Sequence, residues 1–188
     1  MRAFIFIMAI VCGAAAANEV ENEDRAVASR AVINTFKKVL VAELQKHMNA
    51  GGPTAAIKMC NTRAPAISGS LSEAHNWSIG RTSLKIRNSA NAPDDWERGV
   101  LERFETQKAS AAESDTLEYY EVVENEGKPV YRYMQAIITR PACLTCHGSN
   151  LDPRVSQMLS DLYPDDQATG FEAGDIRGAF SISQPLEK

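Results

Sequence analysis

Apolar residues recur every three or four positions over residues 22–50: Val32 or Ile33, then Phe36, Leu40, Leu44 and Met48, with charged residues between them. That is the α-helical period, and the stripe it draws predicts one long helix with a single buried face. Gly51, Gly52 and Pro53 stop it, since glycine unwinds a helix and proline cannot continue one. Thr54 then caps a short helix over residues 55–64, "AAIKMCNTRA", with Ile57 and Cys60 on one side, three residues apart. After a polar loop the period changes. Trp77 and Ile79 alternate in strand fashion before Gly80. "NSANAP" is turn chemistry, and Asp94 caps a further helix in which Trp96, Val100 and Phe104 share a face, with Leu101 beside them.

The second half of the chain reads mostly as sheet. "TLEYYEVV" and "KPVYRYMQAII" are rich in β-branched and aromatic residues, with "ENEG" between them, and so predict an antiparallel hairpin. A short helix, "PRVSQMLSDLY", buries Val155, Met158, Leu159 and Leu162. A last strand, "GDIRGAFSIS", sets Ile176, Phe180 and Ile182 on one side. Helices first, then a hairpin and a final strand, predict an α+β domain with an antiparallel sheet.

Composition narrows the class. The 188 residues have a formal net charge of −4 and 44% hydrophobic residues, which fits one globular domain and gives no footprint for nucleic acid or anionic membrane. Residues 1–17 fall outside that domain. Arg2, an apolar run over residues 4–11 and the small Ala15, Ala16 and Ala17 have the form of a cleaved export signal. The apolar run is too short for a membrane anchor. Lipidation at Cys12 is disfavoured by bulky Val11 before it. The expectation is a periplasmic domain over residues 18–188, without a transmembrane anchor, in an oxidising compartment.

Once Cys12 leaves with the signal, Cys60, Cys143 and Cys146 remain. An odd count points away from a purely disulfide bookkeeping. "RPACLTCHGSN" places Cys143 and Cys146 two residues apart with His147 adjacent. In c-type haem attachment two thiols add to the porphyrin vinyl groups, the intervening pair lets the backbone span them, and the next histidine becomes the proximal iron ligand. A thioredoxin-like dithiol lacks its βαβ setting. A structural zinc site lacks a second ligand pair, because Cys60, His47 and His75 are isolated. One covalently attached haem c is therefore expected at Cys143, Cys146 and His147. For the sixth ligand the residues leave Cys60, Met48, Met59, Met134, Met158, His47 and His75 open. Methionines are commonly core filler, whereas Cys60 has no disulfide partner and a free exported thiol is prone to oxidation unless buried or metal-bound.

The combination "AAIKMCNTRAPAI", "GRTSLKIRNSANAPDDWE", "CLTCHG" and "YPDDQATGFEAGDIRGAFSIS" resembles a family of c-haem-binding domains with a PAS-like fold, long catalogued as a domain of unknown function. Its members are small exported cytochromes or extracytoplasmic modules of sensor kinases. The resemblance runs over residues 28–183 and implies a PAS-like antiparallel sheet with a long N-terminal helix and short flanking helices. It also implies His147 as proximal and Cys60 as distal ligand. Ser89 departs from the proline expected after "RN" in many members, which bears on a turn. Arg81 and Arg87, near the family motif, are candidates to hold the haem propionates, with Trp77 and Trp96 as core residues.

A thiolate ligand favours ferric iron, so the expected function is electron transfer by an exported mono-haem cytochrome of low potential. The alternative is a redox or gas sensor in which Cys60 lets go on reduction. Because no kinase-like sequence follows, such a sensor is expected to signal through a separate partner. An enzyme is not expected, since no acid/base pair accompanies the motif and six-coordinate iron leaves no open position. The redox or sensor partner is unknown, and a homodimer through the first helix is possible.

Overall fold

The structure is a computed structural model and describes residues 11–110 and 117–186. Most of the predicted signal, residues 1–10, lies outside the described residues. Among those described, no helix is long and apolar enough to cross a membrane.

Helix α1 (Val11–His75) is two helices joined at a kink. Gly52 has φ 69° and ψ −163°, a conformation essentially closed to side chains other than glycine. The bend is needed. At about 1.5 Å per residue, Ile67 in a straight helix would lie more than about 40 Å from Phe36. Both instead join one core cluster, with Ile33, Tyr131, Tyr133 and Phe180. The predicted stop at Gly51–Pro53 is thus a hinge, and the second helix outruns the predicted residues 55–64 to reach His75 despite Pro65. Tertiary contacts carry it past the proline. Ile67 is buried against the sheet, Ser68 Oγ donates to the Ile79 carbonyl, and Ser72 Oγ accepts from the Ile79 N–H at 3.0 Å.

Strand β1 (Ser78–Thr82) is followed by a 3-10 turn (Ser89–Asn91) and by α2 (Asp95–Ser110). A reciprocal capping box opens α2: the Glu97 N–H donates to Asp94 Oδ1 at 2.8 Å, and the Asp94 N–H to Glu97 Oε2 at 3.2 Å. β2 (Glu118–Asn125) and β3 (Lys128–Ile138) form the predicted hairpin. Their two-residue turn, Glu126 and Gly127, has positive φ at both positions, as a tight hairpin matched to strand twist requires. A second 3-10 turn (Pro141–Cys143), α3 (Leu144–His147), α4 (Pro153–Leu162) and β4 (Ile176–Pro185) complete the chain.

The four strands form one antiparallel sheet in the order β1-β4-β3-β2. One face, with Tyr131, Tyr133, Phe180 and Ile182, packs on α1. The other, with Met134, Ala136 and Ala179, packs on Val100, Leu101 and Phe104 of α2. A third cluster joins Ile57 of α1 to Val155, Leu159 and Tyr163, with half-buried Met158 and Leu162 against them. The α+β expectation is therefore met: a long N-terminal helix, a four-stranded antiparallel sheet and short helices.

One strand detail differs from the pattern reading. Ile137 pairs with Gly178 but Ile138 with Ile176, so Arg177 is the extra residue of a β-bulge. The bulge reverses side-chain parity. Ile176 joins the α2-side cluster with Ala179, while Phe180 and Ile182 face α1; the three do not share a side.

Candidate functional site

Beside the edge strand β1 lies a cavity of about 770 Å³ whose lining includes Cys60, Arg81, Arg87, His147, Tyr163 and Arg177. That volume is in the usual range for cofactor pockets. Its walls come from the second half of α1, from β1 and the loop after it, from the start of α2, from the β2–β3 hairpin, from α3, from Tyr163 after α4 and from β4.

The wall that carries His147 is tightly constructed. Pro141 starts a 3-10 turn that runs directly into the single turn of α3, closed by the Gly148 N–H donating to the Leu144 carbonyl at 2.9 Å. The returning segment clasps this turn, with the Phe171 N–H donating to the His147 carbonyl at 2.9 Å and the Gly170 N–H to the Gly148 carbonyl at 3.2 Å. Arg87 ties the two together. Its Nη2 donates to the Cys146 carbonyl at 2.6 Å and the Ala168 carbonyl at 3.0 Å, while Nε donates to Asp166 Oδ2 at 3.0 Å. Asp166 Oδ1 in turn accepts from the Ala168 N–H at 2.8 Å.

His147 Nδ1 lies 2.8 Å from the Ala168 carbonyl oxygen and 3.2 Å from Arg177 Nε. The two neighbours make opposite demands, since the carbonyl can only accept and the guanidinium can only donate. The shorter contact decides for a proton on Nδ1, as lone-pair repulsion at 2.8 Å would otherwise be severe. Nε2 then carries the free lone pair, the tautomer of a histidine whose second nitrogen is oriented by a backbone carbonyl. Burial, reinforced by the charges of Arg177 and Arg87, pushes the imidazole down to about 3. It is neutral at physiological pH, as a ligand must be.

Cys143, Cys146 and Cys60 are free thiols, each half-buried. Burial raises the Cys60 thiol, opposed by the charges of Arg81 and Arg87; burial likewise raises Cys146. Of the residues the sequence left open beside Cys60, none of Met48, Met59, Met134, Met158, His47 and His75 lines the cavity. Met134 is in the α2-side core and Met158 packs on the third cluster. His47 Nδ1 meets the Glu43 carbonyl at 2.8 Å, and His75 lies against Trp77 with ring centroids 5.1 Å apart. Trp77 packs against a core cluster, as expected, whereas Trp96 packs against the α2-side cluster and also lines the cavity. No cluster of three His, Cys, Asp or Glu side chains able to hold a bare metal ion occurs among the described residues.

The two arginines singled out from the sequence behave differently. Arg87 lines the cavity but its donors go to Asp166 and to the backbone around His147. Arg81 makes no hydrogen bond or ion pair among the described residues. Its guanidinium lies 5.8 Å from the Phe36 ring centroid, and burial lowers it. An unmatched, half-buried cation on a cavity wall suits an anionic group in that cavity. Arg177 was not foreseen. Strand periodicity cannot announce a bulge, and the only hint was Gly178 inside an otherwise strand-like run.

Fold and site together define a class: an α+β domain with a cavity of cofactor size at the sheet edge, lined by the histidine of a Cys-x-x-Cys-His turn. The chain belongs to the Tll0287-like family, whose sequence profile (Tll0287) matches residues 14–185. Among solved structures it is similar to the cyanobacterial heme-protein Tll0287, at 20% identity and a TM-score of 0.66, over 88% of this chain and 97% of that one. No curated protein gives a sequence match.

Proposed function

We propose that this chain is an exported mono-haem c-type cytochrome of PAS-like fold, which transfers electrons through a low-potential His/Cys-ligated iron. The observation that carries this reading is the cavity itself. A neutral His147 with Nδ1 fixed by Ala168, Cys60 and the unmatched Arg81 all line it, and His147 directly follows Cys146 in the chain, with Cys143 at the end of the preceding 3-10 turn. The similar solved structure is that of a heme-protein, which supports the same cofactor. Pairing of β1 with the last strand, and of that strand with the hairpin, is the basis for reading the sheet as PAS-like.

On this reading Cys143 and Cys146 provide the thioether sulfurs, His147 Nε2 the proximal ligand and Cys60 the distal one, and Arg81 pairs with a propionate. The haem supplies a one-electron iron couple when bound. The chain would contribute a histidine of fixed tautomer and a Cys60 thiol whose ionisation burial opposes and two neighbouring guanidiniums assist. We assign no enzymatic activity. A separate protein would be its redox partner, and the N-terminal segment its export signal.

One observation favours the sensor alternative. Cys60 is on the part of α1 beyond the Gly52 hinge, whereas His147 is on the clasped α3 turn, so loss of the Cys60 bond would free one wall and leave the other in place. One set of spectra tests both readings. The protein matured in a host that attaches c-type haem gives a pyridine haemochrome signal of one haem per chain, and Cys60→Ser changes its ferric spectrum and midpoint potential. A colourless protein with titratable Cys143 and Cys146 defeats the haem reading, and an unchanged C60S spectrum removes Cys60 from the iron. Tight carbon monoxide binding by the reduced wild type decides for the sensor.

A further inference from the structure

We infer that Arg177 is a positioning residue for His147 and the charge that holds the site's reduction potential above what two electron-donating ligands would set. This rests on the haem reading above.

The bulge in β4 places Arg177 where a regular strand would not. The residue after it, Gly178, has φ 152°, and a Cβ there would lie 2.3 Å from the Thr82 carbonyl oxygen. Only glycine lets β4 approach β1 this closely, so the bulge is fixed by backbone contact. The side chain is held as firmly. Nη1 donates to Ser83 Oγ at 3.0 Å and to the Lys85 carbonyl at 3.2 Å, and the guanidinium lies 5.3 Å from the Phe171 ring centroid. Phe171 stands edge-on to His147, centroids 6.2 Å apart. Anchored this way, Nε sits 3.2 Å from His147 Nδ1.

No carboxylate forms an ion pair with Arg177 among the described residues, in contrast to Arg87 beside it, which has Asp166. An uncompensated cation next to a ligand stabilises whichever state has the extra electron, here the form reduced by one electron from an external donor. A carbonyl-bonded histidine and a thiolate both push charge onto iron and favour the oxidised form. Arg177 opposes them.

The test is a spectroelectrochemical titration of the haem-loaded wild type, Arg177→Gln and Arg177→Lys, with haemochrome content measured on each. R177Q is expected to lower the reduced-to-oxidised ratio at fixed potential about tenfold, a fall of about 59 mV for a one-electron couple. R177K, which keeps the charge, is expected to stay near wild type. Arg177→Met, neutral and of similar length, gives the same fall should glutamine disturb the bulge. A potential that is unchanged or higher in the neutral variants overturns the inference, as does a lysine variant that falls as far as glutamine, because that marks packing and not charge. Either result with haem still bound leaves the proposed function standing. A wild type without haemochrome signal takes both down.

Discussion

Two regions of this molecule bury arginines, and they do so on opposite terms. Between α1 and the hairpin, Arg30 is fully matched: Nε and Nη2 donate to Glu118 at 3.0 and 2.6 Å, and Nη1 to Glu23 at 2.9 Å. Tyr133 and Tyr120 hydroxyls complete the carboxylates' bonding at 2.5 and 2.7 Å. Around the cavity, Arg81 and Arg177 have no carboxylate in ion-pair range among the described residues. The first arrangement satisfies itself and reads as structure. The second leaves two positive charges on the cavity wall with no carboxylate beside them, a cost that persists only where something else offsets it. The contrast separates a stabilising network from a binding site without appeal to any likeness.

Three substitutions sharpen or break this contrast. The largest effect is expected at the cavity side's backbone, where Gly178→Ala puts a methyl into the Thr82 carbonyl. Strand strain and a displaced bulge should cost about 3 kcal/mol or more in urea unfolding; a loss below about 1 kcal/mol would mean β4 shifts freely and that Arg177 is not held by it. Next is Arg30→Ala, which strands the partly buried Glu118 carboxylate and should cost about 1–2 kcal/mol at neutral pH.

Arg30 also sets a pH dependence. Its hydrogen bond is the main reason the Glu118 carboxyl lies below its ordinary value near 4.5. A depressed carboxyl stabilises the fold above its unfolded value, and that contribution is lost as the pH falls through the lower folded value. The stability difference between wild type and R30A should therefore hold at neutral pH and shrink in acid below about 4.5. A difference constant down to strongly acid pH would detach it from Glu118.

The smallest effect is expected at Arg81→Leu in haem-free protein. Removing a half-buried cation without a partner should leave the melting temperature unchanged or slightly raised, the reverse of R30A. A marked loss of stability would show that Arg81 has a structural duty, and the comparison between the regions would fail.

Several parts of this molecule were legible as sequence because they depend on neighbours in the chain. The Asp94–Glu97 box, the Glu126–Gly127 turn and the helical stripe through Phe36 each express a rule spanning a few residues. Cys143, Cys146 and His147 were legible for the same reason, since the chemistry they suit needs them at fixed short spacing. The course of residues 65–75 was not. Pro65 reads locally as an end, and only burial of Ile67 and the bonds from Ser68 and Ser72 to β1 carry the helix through. Arg87, a sequence candidate to hold a haem propionate, lines the cavity but is tied to Asp166 and two carbonyls that follow it by 59 to 81 residues.

The sequence by itself determined the order of elements, the hinge glycines and the paired-thiol turn with its histidine, because local sterics and period act over one or two turns of chain. Tertiary structure alone decided that Cys60 and His147 share a cavity, that Ala168 fixes the histidine's proton, and that a bulge in β4 delivers Arg177 to its side. Those relations join residues far apart in the chain through strand register and helix packing, and no spacing rule reaches that distance.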